Sequence, residues 1–160
     1  MTRTKPRPRS DFHWFCQVNT QWKDIDIYGH VNNAVHYTWF DTAVNGWLVE
    51  RGLLDPVRSE TVGLVVRTSC EYFDEVVFPD LVTCGLCVSR VGTTSVTYEI
   101  SLFRNDRDQS FAHGTFVHAY VDRITHRPVP LSEDLRHAVL QIKSLVEILA
   151  EPDRRAKVDV

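Results

Sequence analysis

The sequence predicts an α+β domain in which an antiparallel sheet of about five strands wraps around one long central helix, with a second helix at the C-terminal side. Three observations carry this expectation. Over residues 34 to about 51, Phe40, Ala43, Val44, Trp47 and Leu48 recur at helical spacing, and the helix is apolar enough to be largely buried. Between residues 61 and 121, strand-like segments follow one another through short turns, which only antiparallel neighbours can use. Near the end, Leu135, Val139, Ile142 and Val146 again fall on one helical face.

The elements can be justified in chain order. Residues 1–10 carry four basic side chains and two prolines, so charge repulsion predicts a flexible basic tail. Residues 12–19 alternate loosely, as a strand does. Residues 20–33 are polar and irregular, with Gly29 and the pair Asn32 and Asn33; an Asn side chain caps a helix by accepting from an orphan N–H. The central helix follows and Gly52 is its stop. Residues 61–77 form a strand long enough to bend in the middle. Residues 81–89, 95–103 and 111–121 form three more, joined by turns at 91–93 and 105–108. After Pro128 and Pro130, Ser132 precedes a helix expected over residues 133–150, and residues 151–160 read as a second flexible tail. The domain proper therefore spans residues 11–150. The sheet leaves open edges, and pairing with a second copy would cover them, so a homo-oligomer is expected, a dimer or a dimer of dimers.

Composition excludes several function classes. At 160 residues the chain is one domain with a substantial core. Eighteen Lys and Arg against 21 Asp and Glu give a net charge of −3, which argues against nucleic acid as a partner. No run approaches a membrane span. The start lacks the apolar stretch of about 7–15 residues that a secretory signal needs. Cys16, Cys70, Cys84 and Cys87 do not make a disulfide scaffold at this length. Together these predict a cytoplasmic protein with reduced thiols.

The densest polar segment is Asp24-Ile25-Asp26-Ile27-Tyr28-Gly29-His30-Val31-Asn32-Asn33, just ahead of the buried helix. A helix start offers free N–H groups and a favourable partial charge to a developing oxyanion. A carboxylate a few residues upstream can reach the same point as base or nucleophile, and Gly29 lets backbone approach a ligand. The competing reading is a capped loop whose aspartates merely accept backbone N–H groups.

The string from Asp26 through Ala34, followed by an aromatic helix, resembles the signature of hotdog-fold acyl-CoA thioesterases of the 4-hydroxybenzoyl-CoA thioesterase family. The resemblance covers roughly residues 10–145, and the element order fits that fold. It implies hydrolysis of an acyl thioester, acyl-CoA or an acyl-carrier-protein conjugate, to a free acid and a thiol, with no metal or cofactor. It assigns Asp26 as the catalytic carboxylate, either nucleophile or base on a water, and the Asn33 N–H as the group that polarises the thioester carbonyl. Tyr28, Gly29, His30 and Asn32 become substrate-binding candidates. Asp24 ranks behind Asp26, and Asp41 in the helix body is a reserve. Two features depart from the family pattern. His36 stands where branches of the family carry Tyr, with Tyr37 one place later. Only Arg90 occupies the turn where some members place several basic residues for CoA phosphates, leaving Arg127 as the second candidate.

Other constellations are weaker. Cys84 and Cys87 have metal-like spacing, but residues three apart on a strand face opposite sides; His113 and His118, five apart, do likewise. No Gly-x-Ser-x-Gly string or glycine-rich phosphate loop is present. A hotdog lyase or dehydratase and a non-catalytic acyl-thioester binding module remain the alternative functions, because one fold hosts many activities.

Overall fold

The computed structural model describes residues 4–144. One five-stranded antiparallel sheet runs in the order β1-β3-β4-β5-β2, with β1 Trp14–Asn19, β2 Thr61–Tyr72, β3 Leu81–Val91, β4 Ser95–Arg104 and β5 Ala112–Asp122. Helix α1, Asn33–Glu50, lies against one face. Its buried residues His36, Trp39, Phe40, Ala43, Val44, Trp47 and Leu48 follow the 3-4-3-4 spacing of a single helical stripe. They meet the inward residues of the sheet, Leu86 and Val88 of β3, Tyr98, Ile100 and Leu102 of β4, and Phe116 of β5. This is the hotdog fold.

At one point helix and sheet nearly touch. A Cβ on Gly114 of β5 would collide with the Phe40 ring and with the backbone oxygen of Ser69. Since one obstacle is backbone, Gly114→Ala should cost about 1–3 kcal/mol or more, read as a lowered urea midpoint at unchanged slope. An unchanged midpoint would show that the contact relaxes freely.

His118 sits in the same core, 1% exposed, ringed by Tyr98, Phe116 and Tyr120, and neither ring nitrogen has a partner among the described residues. Burial lowers its pKa to about 4. An unfolded histidine gains a proton near pH 6.5. The folded chain therefore binds fewer protons between pH 6.5 and 4, and stability falls as pH falls through that window. His118→Leu is expected to flatten the dependence of the unfolding midpoint on pH there; an equally steep profile would contradict it.

Several expected boundaries move. β2 ends at Tyr72, not 77, because the Phe73 and Asp74 N–H groups both donate to the Phe111 carbonyl and turn the chain out of the ladder. Its expected bend is a register shift between Val65 and Arg67. Helix α2 is Glu133–Gln141: the chain then turns so that Ser144 N–H donates to the Val88 carbonyl and Val88 N–H to the Ile142 carbonyl. Residues 145–150 of the expected helix, Val146 included, and the tail 151–160 lie outside the described residues.

The N-terminal segment departs most from expectation. Its described part from Thr4 onward is docked instead of frayed. Ser110 N–H donates to the Arg7 carbonyl and Arg7 N–H to Ser110 Oγ, Arg9 N–H donates to the Asp108 carbonyl, and the Arg7 guanidinium meets Asp11 and Glu99. The charge of Arg7 is neutralised by Asp11 in the same segment and by Glu99 of β4, while the Arg9 guanidinium donates to the Arg107 and Asn105 carbonyls. Phe12 follows, packing edge-on to Phe103 at 5.8 Å with Cys87 beside them. Cys87 thus belongs to the outer face while Cys84 belongs to the helix-side core. His113, on the outer face, shares a 2.8 Å hydrogen bond with Ser101 Oγ, opposite to the side His118 occupies. Among the described residues no three His, Cys, Asp or Glu side chains converge as a metal site would need, and no helix is long and apolar enough to cross a membrane.

Candidate active site

The loop before α1 is built by short-range hydrogen bonds. Residues 22–24 make one turn of 3-10 helix, in which Gln21 N–H donates to Asp24 Oδ2 at 2.8 Å. Asp24 is thereby a capping group. Two residues on, Tyr28 N–H donates to Asp26 Oδ1 at 2.8 Å and Gly29 N–H to the Asp26 carbonyl at 3.1 Å. Gly29 closes this turn at φ +85°, a conformation L side chains resist. The turn holds one Asp26 oxygen and leaves Oδ2 without a partner among the described residues. Val31 N–H then donates to the Val76 carbonyl at 2.9 Å, tying the loop to the chain after β2.

Helix α1 opens immediately afterwards. Asn32 is the N-cap, its Oδ1 accepting from Ala34 N–H at 2.9 Å, and its carbonyl accepts from Val35 N–H. The Asn33 N–H has no protein partner among the described residues and lies at the positive end of the helix dipole. Tyr72, at the end of β2, donates its hydroxyl to the Asn33 carbonyl at 3.0 Å. Burial raises the Tyr72 pKa, so the hydroxyl stays protonated and remains a donor.

A cavity of about 440 Å³ collects these groups. Asp26, Tyr28, His30, Asn32 and Asn33 all line it. Gly29 shapes the turn without reaching the wall. His30 stacks beside the largely exposed Tyr28, with Nε2 3.8 Å from Glu75 Oε1. The lining is completed by Tyr72 and residues 73–76 after β2 and by His36 of α1, none of them proposed from sequence. Tyr72 could have been suspected only from the contact that brings the end of β2 to the start of α1. His36 could have been suspected from its departure from the family pattern.

Other candidates lie elsewhere. Asp24 does not line the cavity. Asp41 is exposed on α1 and accepts from Asn45 Nδ2 at 3.0 Å. Arg90 pairs across the sheet with Thr97 and so with Val117, five residues along β5 from Ala112, the partner of Tyr72. At about 3.3 Å per residue that is roughly 17 Å. Arg127 lies further still, beyond the end of β5. Within one chain neither arginine reaches the Asp26 cavity.

A family model of the thioesterase-like superfamily matches residues 20–139, three-quarters of the chain and both walls of this cavity. The chain belongs to the thioesterase-like superfamily. That membership supports acyl thioester hydrolysis as its class of activity. Among solved structures, the PA5185 protein from Pseudomonas aeruginosa strain PAO1 is 45% identical, over 88% of this chain and 98% of that one, with a TM-score of 0.85. Two more share the fold of this superfamily member at lower identity. BH1999, a gentisyl-coenzyme A thioesterase, is 19% identical over 79% of this chain and 99% of its own, TM-score 0.70. Slr0204 from Synechocystis, a 1,4-dihydroxy-2-naphthoyl-CoA thioesterase, is 14% identical over 80% of this chain and 96% of its own, TM-score 0.72.

Proposed function

We propose that this chain hydrolyses acyl-CoA thioesters in the cavity at the start of α1, as a member of the 4-hydroxybenzoyl-CoA thioesterase branch acting in the cytoplasm. The observation that carries the reading is that Asp26 and Asn33, the first residue of α1, line one cavity. The thioester carbonyl oxygen accepts from Asn33 N–H, and the helix dipole stabilises the charge that grows there. Asp26 Oδ2 then acts by one of two routes. As a base it removes a proton from water, the hydroxide adds to the carbonyl carbon, and the C–S bond breaks to give acid and thiol. As a nucleophile it adds directly, expels the thiolate and leaves a mixed anhydride that water cleaves. Tyr28, His30 and Asn32 frame the entering ester.

A second copy completes the site in this reading. β2 is an open edge, and Leu64, Val65 and Val66 on it are 41%, 44% and 62% exposed. Such an edge favours pairing with a like strand. Arg90 and Arg127 serve the CoA phosphates only when offered across that assembly. The test is thiol release from short-chain, long-chain and aromatic acyl-CoAs, with acyl-carrier-protein thioesters alongside. Turnover of CoA esters supports the reading. Turnover of carrier-protein esters alone would reassign the substrate, and binding without release would make the chain an acyl-thioester binding module.

A further inference from the structure

Cys16 and Cys84 stand directly opposite each other across the β1-β3 ladder. Both lie on the helix side of the sheet. Cys84 is fully buried in the main core, and Cys16, half-buried, packs against the same core together with Trp14 and Val18 of its strand. Opposite residues on one face of an antiparallel pair are nearest neighbours, with Cβ atoms about 4.5–5.5 Å apart.

The ladder fixes their spacing further. Asn105 N–H donates to the Leu81 carbonyl, so Leu81, Thr83 and Gly85 turn their backbone groups toward β4. Val82, Cys84 and Leu86 turn theirs toward β1, and His13 N–H reaches the Leu86 carbonyl from that side. Cys16 and Cys84 are therefore a hydrogen-bonded pair, whose Cα atoms stand about 5.5 Å apart. Disulfides span Cα separations of about 4.4–6.8 Å. Closing the bond draws the Cβ atoms to about 4 Å. β1 can make that small approach because it is an edge strand, paired on one side only.

The two thiols are chemically unequal. The Cys84 thiol favours the thiolate at Cys16 and lowers the Cys16 pKa, whereas that same contact and burial push the Cys84 pKa well up. Cys16 also lines a groove of about 570 Å³ beside β1, together with Arg9 and Gln17, which gives a small oxidant access. The remaining cysteines cannot compete for Cys16. Cys87 lies on the outer face, and Cys70 is on β2 at the opposite edge of the sheet.

We propose that Cys16 and Cys84 are an oxidation site for peroxides, in which Cys16 attacks the peroxide and Cys84 closes a disulfide between β1 and β3. The Cys16 thiolate attacks one peroxide oxygen, the O–O bond breaks, and hydroxide leaves and takes up a proton as water. Cys16 is then a sulfenic acid. Cys84 gives up its proton, its sulfur attacks the Cys16 sulfur, the S–O bond breaks and a second water leaves. Two thiols are oxidised by two electrons and one peroxide is reduced to two waters. The disulfide also keeps Cys16 from advancing to the irreversible sulfinic acid. None of this depends on the thioester reading of the cavity at α1.

The test treats the folded chain with a small excess of hydrogen peroxide, unfolds it, blocks the remaining thiols with iodoacetamide and maps the tryptic peptides by mass spectrometry. Wild type is expected to give residues 10–23 linked to residues 68–90, with fragments that place the bond at Cys16 and Cys84 and a link that dithiothreitol releases. Cys84→Ala should give no link and let Cys16 proceed to sulfinic acid. Cys16→Ser should give no link and leave Cys84 blockable, because buried Cys84 does not meet peroxide by itself. Cys70→Ser and Cys87→Ser should keep the link. The decisive readout comes from wild type, so a variant that fails to fold does not rescue the proposal. Wild type in which Cys16 is oxidised without linking, in which Cys16 and Cys84 both stay blockable, or in which another pair forms overturns it.

Discussion

Asp26→Asn is expected to slow thioester hydrolysis by about 100- to 10,000-fold, the range for losing a positioned acid–base group. The substitution isolates chemistry from structure. Asn keeps an oxygen at the position that accepts from Tyr28 N–H, so the turn closed by Gly29 survives and the unfolding midpoint should be unchanged. It supplies neither a base nor a carboxylate nucleophile. Asp24→Asn and Asp41→Asn are the informative companions. The Asp24 carboxylate caps a turn of 3-10 helix and Asp41 faces Asn45 on the exposed side of α1, so both variants should hold kcat/KM within a few-fold of wild type. A large loss in either one, with Asp26→Asn active, would move the carboxylate role away from Asp26.

The largest expected stability effect belongs to Phe40→Ala, about 3–5 kcal/mol. The Phe40 ring is fully buried where α1 crosses the sheet, edge-on to Phe116 at 5.9 Å and to Tyr37 at 5.9 Å. Below it is Gly114, with no side chain to move into the vacated space. Backbone pairing of β5 with both β2 and β4 prevents the sheet from collapsing inward. The cavity should therefore remain, and the cavity contribution adds to the lost transfer energy. Denaturant unfolding with the slope unchanged and the midpoint shifted checks this. A loss below about 1 kcal/mol would show that helix and sheet close over the gap.

What could be read from the sequence was local. The α1 stripe, the β3-β4-β5 meander and the Asn32 cap all depend on residues a few positions apart, and periodicity or a capping side chain reports them directly. Asp26 and Asn33 lie only seven residues apart in the chain, so that half of the candidate site is legible as a local motif. What escaped depends on distant partners. Arg7 looks like part of a repelling basic tail until Glu99 and Ser110 are placed beside it by the folded sheet. The end of β2 looks like continuing strand until the Phe111 carbonyl turns residues 73 and 74 aside. That same turn completes the cavity lining, which is why Tyr72 was missed. The end of α2 was overextended for a related reason: Ile142 does point into the core, as its periodic spacing suggests, but its carbonyl is taken by Val88 of β3.

The central claim is that Asp26 performs the cleavage in the cavity it shares with Asn33. A single-turnover experiment, with protein in excess over the most rapidly hydrolysed acyl-CoA, tests it directly by following the appearance of free thiol. Wild type should release the thiol in one fast phase, while Asp26→Asn should bind the ester equally well and release thiol about 100-fold more slowly or worse. Release at the wild-type rate from Asp26→Asn would contradict the account.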